Sequence, residues 1–455
     1  MAMVELELLI IGAGTAGEYA AGYGSGSFGS VGMVEKGQVG GDCIFHACIP
    51  TKALVHSARA YRKMQKADFY GLPTLNAAAD YSKVKAFKDG IVAGIGTGRD
   101  ARWVKAGIKM FKGNARFTSP HEVRVGDEVI KAGKILIVTG SMPVVPPIPG
   151  LKEAGYITNV EALELQQVPK RLAVIGGGPI GAEFAQIFSA FGSQVHIFEA
   201  LERVLAGEDE DVSQAMAGFY KEQGIAVSTS VTVTEVRATG SGKFIKAKGA
   251  DGKETSTEFD EILVATGRRA AIDDLDLPAA GIEADRKGIK VNASLQTNLP
   301  HVWAAGDCTG TFLFTYVAGE QGMTAVLNAA DGKARELNFD ILPRATFCDP
   351  EVASVGLTEK QARENGYKVK VGRFDNANLT RSIVTGETDG FVKIVAEEGS
   401  GRILGGHIVG VEASTLIHEV AAAMAGGATA SDVGNTLHAY PTLSEGVRYA
   451  FQGAI

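Results

Sequence analysis

The sequence predicts an α/β fold: two strand–turn–helix–strand units followed by a separate α+β C-terminal region. Three observations carry this. Two segments about 165 residues apart repeat one pattern. Each sets a glycine-rich turn between an apolar strand and a helix. From about Pro343 onward, strand-like and helical runs alternate.

The first unit begins with the apolar strand Leu6–Ile11 and the turn Gly12-Ala13-Gly14-Thr15-Ala16-Gly17. An Ala-rich helix follows, then Val31-Gly32-Met33-Val34-Glu35. The second runs from the strand Leu172–Ile175 through Gly176-Gly177-Gly178-Pro179-Ile180-Gly181 and a helix reaching Phe191. It ends at Val195-His196-Ile197-Phe198-Glu199. The proline-rich stretch Pro143–Gly150 reads as a link between domains. After Gly267 the pattern is irregular until the strand Val302–Ala305 and the helix after Thr315. The last region holds the strand Phe391–Val395 and a helix over Ala413–Met424.

A chain of 455 residues exceeds one core, so two to four domains are expected. With 45% hydrophobic and 21% charged residues it reads as an ordinary globular protein. The net charge of −7 and the absence of a basic stripe speak against nucleic acid as a partner. No basic n-region opens the chain and no apolar run has the ~18 residues of a membrane helix, so a cytoplasmic location is expected. Four cysteines, Cys43, Cys48, Cys308 and Cys348, are too few for a secreted disulfide scaffold. The close pair reads as redox or metal chemistry.

A lone G-x-G-x-x-G is weak evidence. Here each copy follows a strand and opens a helix, and an acid, Glu35 or Glu199, stands eighteen residues after the last glycine. Gly12, Gly14 and Gly17, and Gly176, Gly178 and Gly181, let a pyrophosphate approach the backbone at a helix N-terminus. The acids accept from ribose hydroxyls. The plain alternative is a pair of tight turns without ligand. Glu199 suits the 2′-hydroxyl of NAD and repels the 2′-phosphate of NADP, which favours NAD. Arg203 is read as a solvated arginine. Downstream, Val302-Trp303-Ala304-Ala305-Gly306-Asp307 ends a strand in Gly-Asp; with the first turn, Asp307 reads as a flavin contact rather than a helix cap.

Cys43 and Cys48 lie within Gly41-Asp42-Cys43-Ile44-Phe45-His46-Ala47-Cys48-Ile49-Pro50-Thr51-Lys52. The four-residue gap is not that of a zinc knuckle, and no second Cys/His pair follows, so no metal site is expected. Such a pair in the first turn of a helix can close a short disulfide, and the helix N-terminus favours the thiolate on reduction. Two buried, unreactive cysteines are the competing reading.

With these motifs, Ala265-Thr266-Gly267-Arg268 and the ending Tyr440-Pro441-Thr442-Leu443-Ser444-Glu445, the chain resembles the flavin-dependent pyridine nucleotide–disulfide oxidoreductases. That family includes dihydrolipoyl dehydrogenase, glutathione reductase and mercuric reductase. The resemblance implies two Rossmann-like dinucleotide-binding domains and an α+β dimerisation domain. The FAD-binding domain would span 1–148 and 268–342, the NAD(P)-binding domain 149–267, and the interface domain of a homodimer 343–455. It further implies that Cys48 is the thiol nearest the flavin and Cys43 the interchange thiol. Lys52 would lie near the flavin with Glu183 as its partner. Gly12, Gly14, Gly17, Glu35, Lys52, Ala115, Thr139, Gly140, Asp307 and Thr315 would serve FAD. Gly176, Gly178, Ile180, Gly181, Glu199 and Gly267 would serve NAD.

The chain departs from the family at its end. Where the disulfide reductases carry a histidine base beside a glutamate, this chain has Tyr440, with Glu445 retained and His438 two residues upstream. A tyrosine with pKa near ~10 is a poor base at neutral pH. Tyrosine there resembles the mercuric reductases, but the vicinal cysteine pair ending those enzymes is missing. His46, between the thiols, is a candidate to relay a proton; the plain reading turns it to solvent. The first expectation is thus an NAD-linked disulfide or dithiol oxidoreductase of dihydrolipoyl dehydrogenase type, acting on a small molecule. The second is a reductase of a metal ion, quinone or other acceptor, and the third a flavoprotein serving mainly as a binding subunit.

Overall fold

The computed structural model describes residues 3–455, which divide into two compact units. One comprises the chain up to Ala53, Ala86–Val144 and Gly267–Leu337; the other comprises Leu54–Lys85, Val145–Thr266 and Asn338–Ile455.

In the first unit a sheet runs in the order Lys109–Lys112, Val31–Glu35, Met3–Ile11, Glu128–Ile137, Glu122–Val125, Ala115–Ser119. Val302–Ala304 also pairs with Glu128–Ile137, in parallel. The strands from Lys109–Lys112 to Glu128–Ile137 are parallel, and the hairpin strands beyond are antiparallel. Leu8, Leu9 and Ile10 are fully buried, as expected of a parallel strand covered on both faces. Each such side chain stabilises by ~1.5–3 kcal/mol. The helix Thr15–Gly24 returns over the sheet and packs on the helix Thr315–Asp331. Their close approach depends on glycine: a Cβ on Gly322 would sit 2.3 Å from the carbonyl oxygen of Ala16.

In the second unit, Ala226–Ser228, Gln194–Phe198, Arg171–Ile175 and Glu261–Val264 form a wholly parallel sheet with the helix Pro179–Ala190 after its third member. A three-stranded meander, Val231–Ala238, Lys243–Gly249 and Glu254–Phe259, accompanies it. The C-terminal part is an antiparallel sheet in the order Arg344–Thr346, Glu351–Gly356, Ile403–Gly410, Phe391–Glu397, Val369–Asp375. The helices Ala413–Ala425 and Ser444–Gly453 cover it through Ile417, Val420, Val447 and Phe451. The expected strand at 391–395 extends to Glu397, and the expected helix at 413–424 ends at Ala425.

Candidate active site

The two glycine turns are built alike. Gly12 and Gly176 both take a positive φ, +113° and +109°, where a side chain would strain the backbone. Gly14 and Gly178 occupy the N-cap positions of their helices, and neither helix has a side-chain cap. The last glycine lets each helix close on its strand. A Cβ on Gly17 would lie 2.0 Å from the carbonyl oxygen of Gly12, and one on Gly181 1.9 Å from that of Gly176. Each terminal acid is fixed by its own turn. Glu35 accepts from the amides of Ala13 (2.8 Å) and Gly37 (2.6 Å). Glu199 accepts from Gly177 (2.5 Å) and Leu201 (2.7 Å). Both keep lone pairs free for further donors.

Beside the first turn lies a cavity of about 140 Å³ lined by Gly12, Glu35, Ala115, Thr139, Lys36 and Leu275, among others. It brings together four of the residues expected to serve FAD. Thr139 Oγ1 is buried there with no hydrogen-bond partner but the sulfur of Cys308. Gly140 follows with φ +72°. Asp307 accepts from Ser141 Oγ at 2.6 Å, and Arg268 donates to Ser141 and pairs with Asp42. Burial pushes the Asp307 carboxyl up, Asp42 adds to the rise, and Ser141 and Arg268 oppose it. An uncapped helix N-terminus, an acid beside it, a cavity and a buried hydroxyl partnered only by a thiol fit an adenine dinucleotide such as FAD. Cys308 itself is buried, its thiol pushed up to about 12. It has no place in redox chemistry at neutral pH.

The cysteines stand on two consecutive helices, not in one first turn as expected. Cys43 lies in Gly41–Phe45, and Cys48 opens Cys48–Gln65. The break follows from Gly40 and Gly41, both at positive φ, which dock the first helix on the glycine turn. Gly40 donates to the carbonyl of Ala13 at 2.7 Å. Cys48 Sγ is 3.2 Å from the hydroxyl of Thr315, the first residue of the helix Thr315–Asp331. The Cys48 sulfur therefore meets the N-terminal ends of two long helices, where dipoles favour an anion. The Cys43 thiol is pushed well above its ordinary value, first by its hydrogen bond with Cys48, then by burial and by charge on Cys48. Thr315 and Lys52 act the other way. The balance of these influences favours the protonated form of Cys43.

The remaining candidates lie in the second unit, Gly267 excepted. Gly267 stands in the first unit, its carbonyl accepting from Val144. Glu183 is buried and accepts from the amide of Phe347 at 2.9 Å. Ile180 lies in the first turn of the helix after the second glycine turn. His438 gives both ring nitrogens to oxygens, Nε2 to Glu419 at 2.7 Å and Nδ1 to the carbonyl of Thr436 at 3.0 Å, so neither is left to a thiol. Glu445 accepts from the amide of Thr442 and the hydroxyl of Tyr449. Tyr440 is 71% exposed. Arg203 is not solvated as expected: it donates to the carbonyls of Ala206 and Glu208 and pairs with Glu210. The principal influences on Cys43 do not include His46.

Comparison with known proteins decides the family. Residues 6–322 match the pyridine nucleotide-disulphide oxidoreductase profile, and residues 342–451 match that family's dimerisation domain. The chain belongs to this family. It is a flavin-dependent NAD(P)H–disulfide oxidoreductase, using FAD and a nicotinamide nucleotide. It is 35% identical over 451 residues to a mercuric reductase of Staphylococcus aureus, covering 98% of this chain and 82% of the relative. It is equally 35% identical over 457 residues to a dihydrolipoyl dehydrogenase of Bacillus subtilis (strain 168), covering 99% of both. Among solved structures it resembles the HOCl-induced flavoprotein disulfide reductase RclA of Escherichia coli, with TM-score 0.88, 29% identity, and 98% and 99% of the two chains covered. A Cu(II) complex of that reductase matches with TM-score 0.87 and 29% identity, over 98% of this chain and 99% of the other. Among the described residues no helix is long and apolar enough to cross a membrane, and no group of three or more His, Cys, Asp or Glu is placed to hold a metal ion.

Proposed function

We propose that the chain works as a homodimeric, cytoplasmic NADH-linked reductase whose electrons leave through Cys43 and Cys48. The observation that carries this reading is the hydrogen-bonded cysteine pair at the helix N-termini, with the Thr315 hydroxyl 3.2 Å from the Cys48 sulfur. Gly12, Gly14, Gly17, Glu35, Ala115, Thr139 and Asp307 would hold FAD, and Gly176, Gly178, Gly181 and Glu199 would hold the nucleotide. When bound, FAD supplies two-electron exchange between the nicotinamide and the cysteines.

Reduction of the Cys43–Cys48 disulfide by two electrons and one proton breaks the S–S bond and leaves one thiol and one thiolate. Burial and contact with Cys48 keep the proton on Cys43. Thr315 and the two helix N-termini hold the negative charge at Cys48. Lys52 supplies positive charge close enough to act on Cys43. As Cys43 attacks a substrate disulfide its proton passes to the first departing substrate sulfur. The Cys48 thiolate then attacks Cys43 Sγ of the mixed disulfide, re-forming the Cys43–Cys48 bond and releasing the second substrate sulfur as a thiolate that takes its proton from water. Glu199, with two backbone amides already on it and no free arginine beside it, prefers NADH over NADPH.

Tyr440 favours a second reading for the acceptor. With an exposed phenol where an imidazole base is expected, turnover of a dithiol lacks its usual proton acceptor. A metal ion or quinone needs no such base, and both the mercuric reductase relatives and the Cu(II) complex of the RclA reductase point the same way. Turnover with dihydrolipoamide and NAD⁺, set beside NADH-driven reduction of Hg(II), Cu(II) and quinones, separates the two. Brisk dihydrolipoamide oxidation supports the disulfide reading. Negligible dihydrolipoamide oxidation with rapid metal or quinone reduction overturns it in favour of the second.

A further inference from the structure

The segment from Glu199 to Asp211 is tied down along its whole length. At its start, Glu199 accepts from Gly177 of the second glycine turn, and Leu205 donates back to the Gly177 carbonyl at 2.9 Å. In the middle, Arg203 donates to Ala206 (3.0 Å) and Glu208 (3.3 Å) and pairs with Glu210 at 3.1 Å. Leu205 is buried at φ +49°, a conformation that a leucine keeps only where its surroundings over-determine it.

The far end of the segment is anchored in the C-terminal sheet. Lys393, on the strand Phe391–Glu397, reaches Asp209 at 2.9 Å, Asp211 at 2.8 Å and Glu359 at 2.9 Å. The Lys393 side chain is 4% exposed and that of Asp209 3%. Asp209 also caps the helix Glu210–Glu222 and accepts from the amide of Glu359 at 3.1 Å. Burial alone would lower the Lys393 ammonium, but bonds to Asp211, Asp209 and Glu359 hold it well above its ordinary value.

A knot of this kind is a poor source of stability, because desolvating buried charges offsets most of their attraction and apolar residues often serve as well. What it supplies is registry: Lys393 has one place where three carboxylates meet. Two of them end the segment that begins with Glu199. We propose that Lys393 is a positioning residue for the nicotinamide nucleotide, setting from the C-terminal domain where Glu199 and its glycine turn stand. This rests on the reading of the second glycine turn as the nucleotide site. Nucleotide affinity is then partly a property of the dimerisation domain.

The test is calorimetric titration of the oxidised holoenzyme with NAD⁺, alongside FAD content, melting temperature and the count of reactive thiols after reduction. Lys393→Met and Asp209→Asn are expected to weaken NAD⁺ binding by about tenfold, as misplacing a binding group does. FAD content and the thiol count stay at wild-type values. Lys393→Arg, which keeps the charge, is expected to restore binding to within about threefold. Melting temperatures that fall while NAD⁺ affinity stays at its wild-type value in Asp209→Asn would overturn the inference, since the knot would then serve stability alone. If Lys393→Met does not fold, Asp209→Asn decides. Failure of the wild-type protein to bind NAD⁺ at all would instead remove the nucleotide reading, and the inference with it.

Discussion

At the scale of single residues, the chemistry depends on which sulfur holds the proton. The hydroxyl of Thr315 lies 3.2 Å from the Cys48 sulfur. A hydrogen bond to a charged group contributes ~1.5–3 kcal/mol, so Thr315→Val should raise the pH at which the Cys48 thiolate forms by about one to two units. The measurement is the pH dependence of the thiolate–flavin absorbance in reduced protein. The sign follows from the pair. Cys43 is raised above the ordinary thiol value of 9.0, so it keeps its proton through neutral and mildly alkaline pH. The absorbance therefore appears as Cys48 ionises and persists upward, and is lost only on acidification. Cys43→Ser should retain it, and Cys48→Ser should abolish it. Much of this was legible in sequence, because the cysteines, Glu35 and Glu199 act at short, patterned spacings. Ser141, Asp42 and Arg268 were not: Ser141 meets Asp307 166 positions away, and Arg268 meets Asp42 226 positions away. Arg203 was misread for the opposite reason. Its partners are close by, but only the folded loop turns their carbonyls toward it.

At the scale of elements, the two turns are equivalent in geometry and separate in consequence. A methyl at Gly17 or Gly181 collides with a carbonyl at about 2 Å, which forces the helix off its strand. Gly17→Ala is expected to yield protein with FAD content reduced at least about tenfold. Gly181→Ala should keep FAD but lose NAD⁺ affinity by a similar factor. Absorbance at 450 nm per chain and NAD⁺ titration check the pair; loss of both cofactors in both variants would contradict it. The strand–turn–helix pattern made these elements readable, because periodicity and glycine spacing are local. The split of the cysteine segment into two helices was not readable, since it follows from docking Gly40 and Gly41 on the first turn. The irregular stretch after Gly267 resolves into short pieces such as the strand Arg268–Ala270 and the helix Leu277–Ala280; no local pattern announces that the strand pairs with Ser141–Pro143.

At the scale of the whole molecule, a chain of 47.6 kDa ending in a dimerisation domain should sediment as a particle of about twice that mass. Leu437, 88% exposed, and Tyr440, 71% exposed, are large apolar or aromatic side chains open to solvent within the dimerisation domain. Leu437→Asp is expected to shift the sedimentation equilibrium toward monomer, and an unchanged dimer would show that Leu437 lies outside the interface. The order of two glycine-turn units and a separate C-terminal region was legible from the repeat and the change of pattern near Pro343; the antiparallel pairing of its strands was not. Which segments gather into each unit was less so, because chain that is distant in sequence returns to complete each one.

The most direct test of the central claim is anaerobic titration of the purified holoenzyme with NADH. Two electrons per chain should generate a long-wavelength thiolate–flavin band, absent in Cys48→Ser, together with two newly reactive thiols. Reduction of the flavin without that band, and with no change in thiol count, would contradict the assignment of Cys43 and Cys48 as the route by which electrons leave.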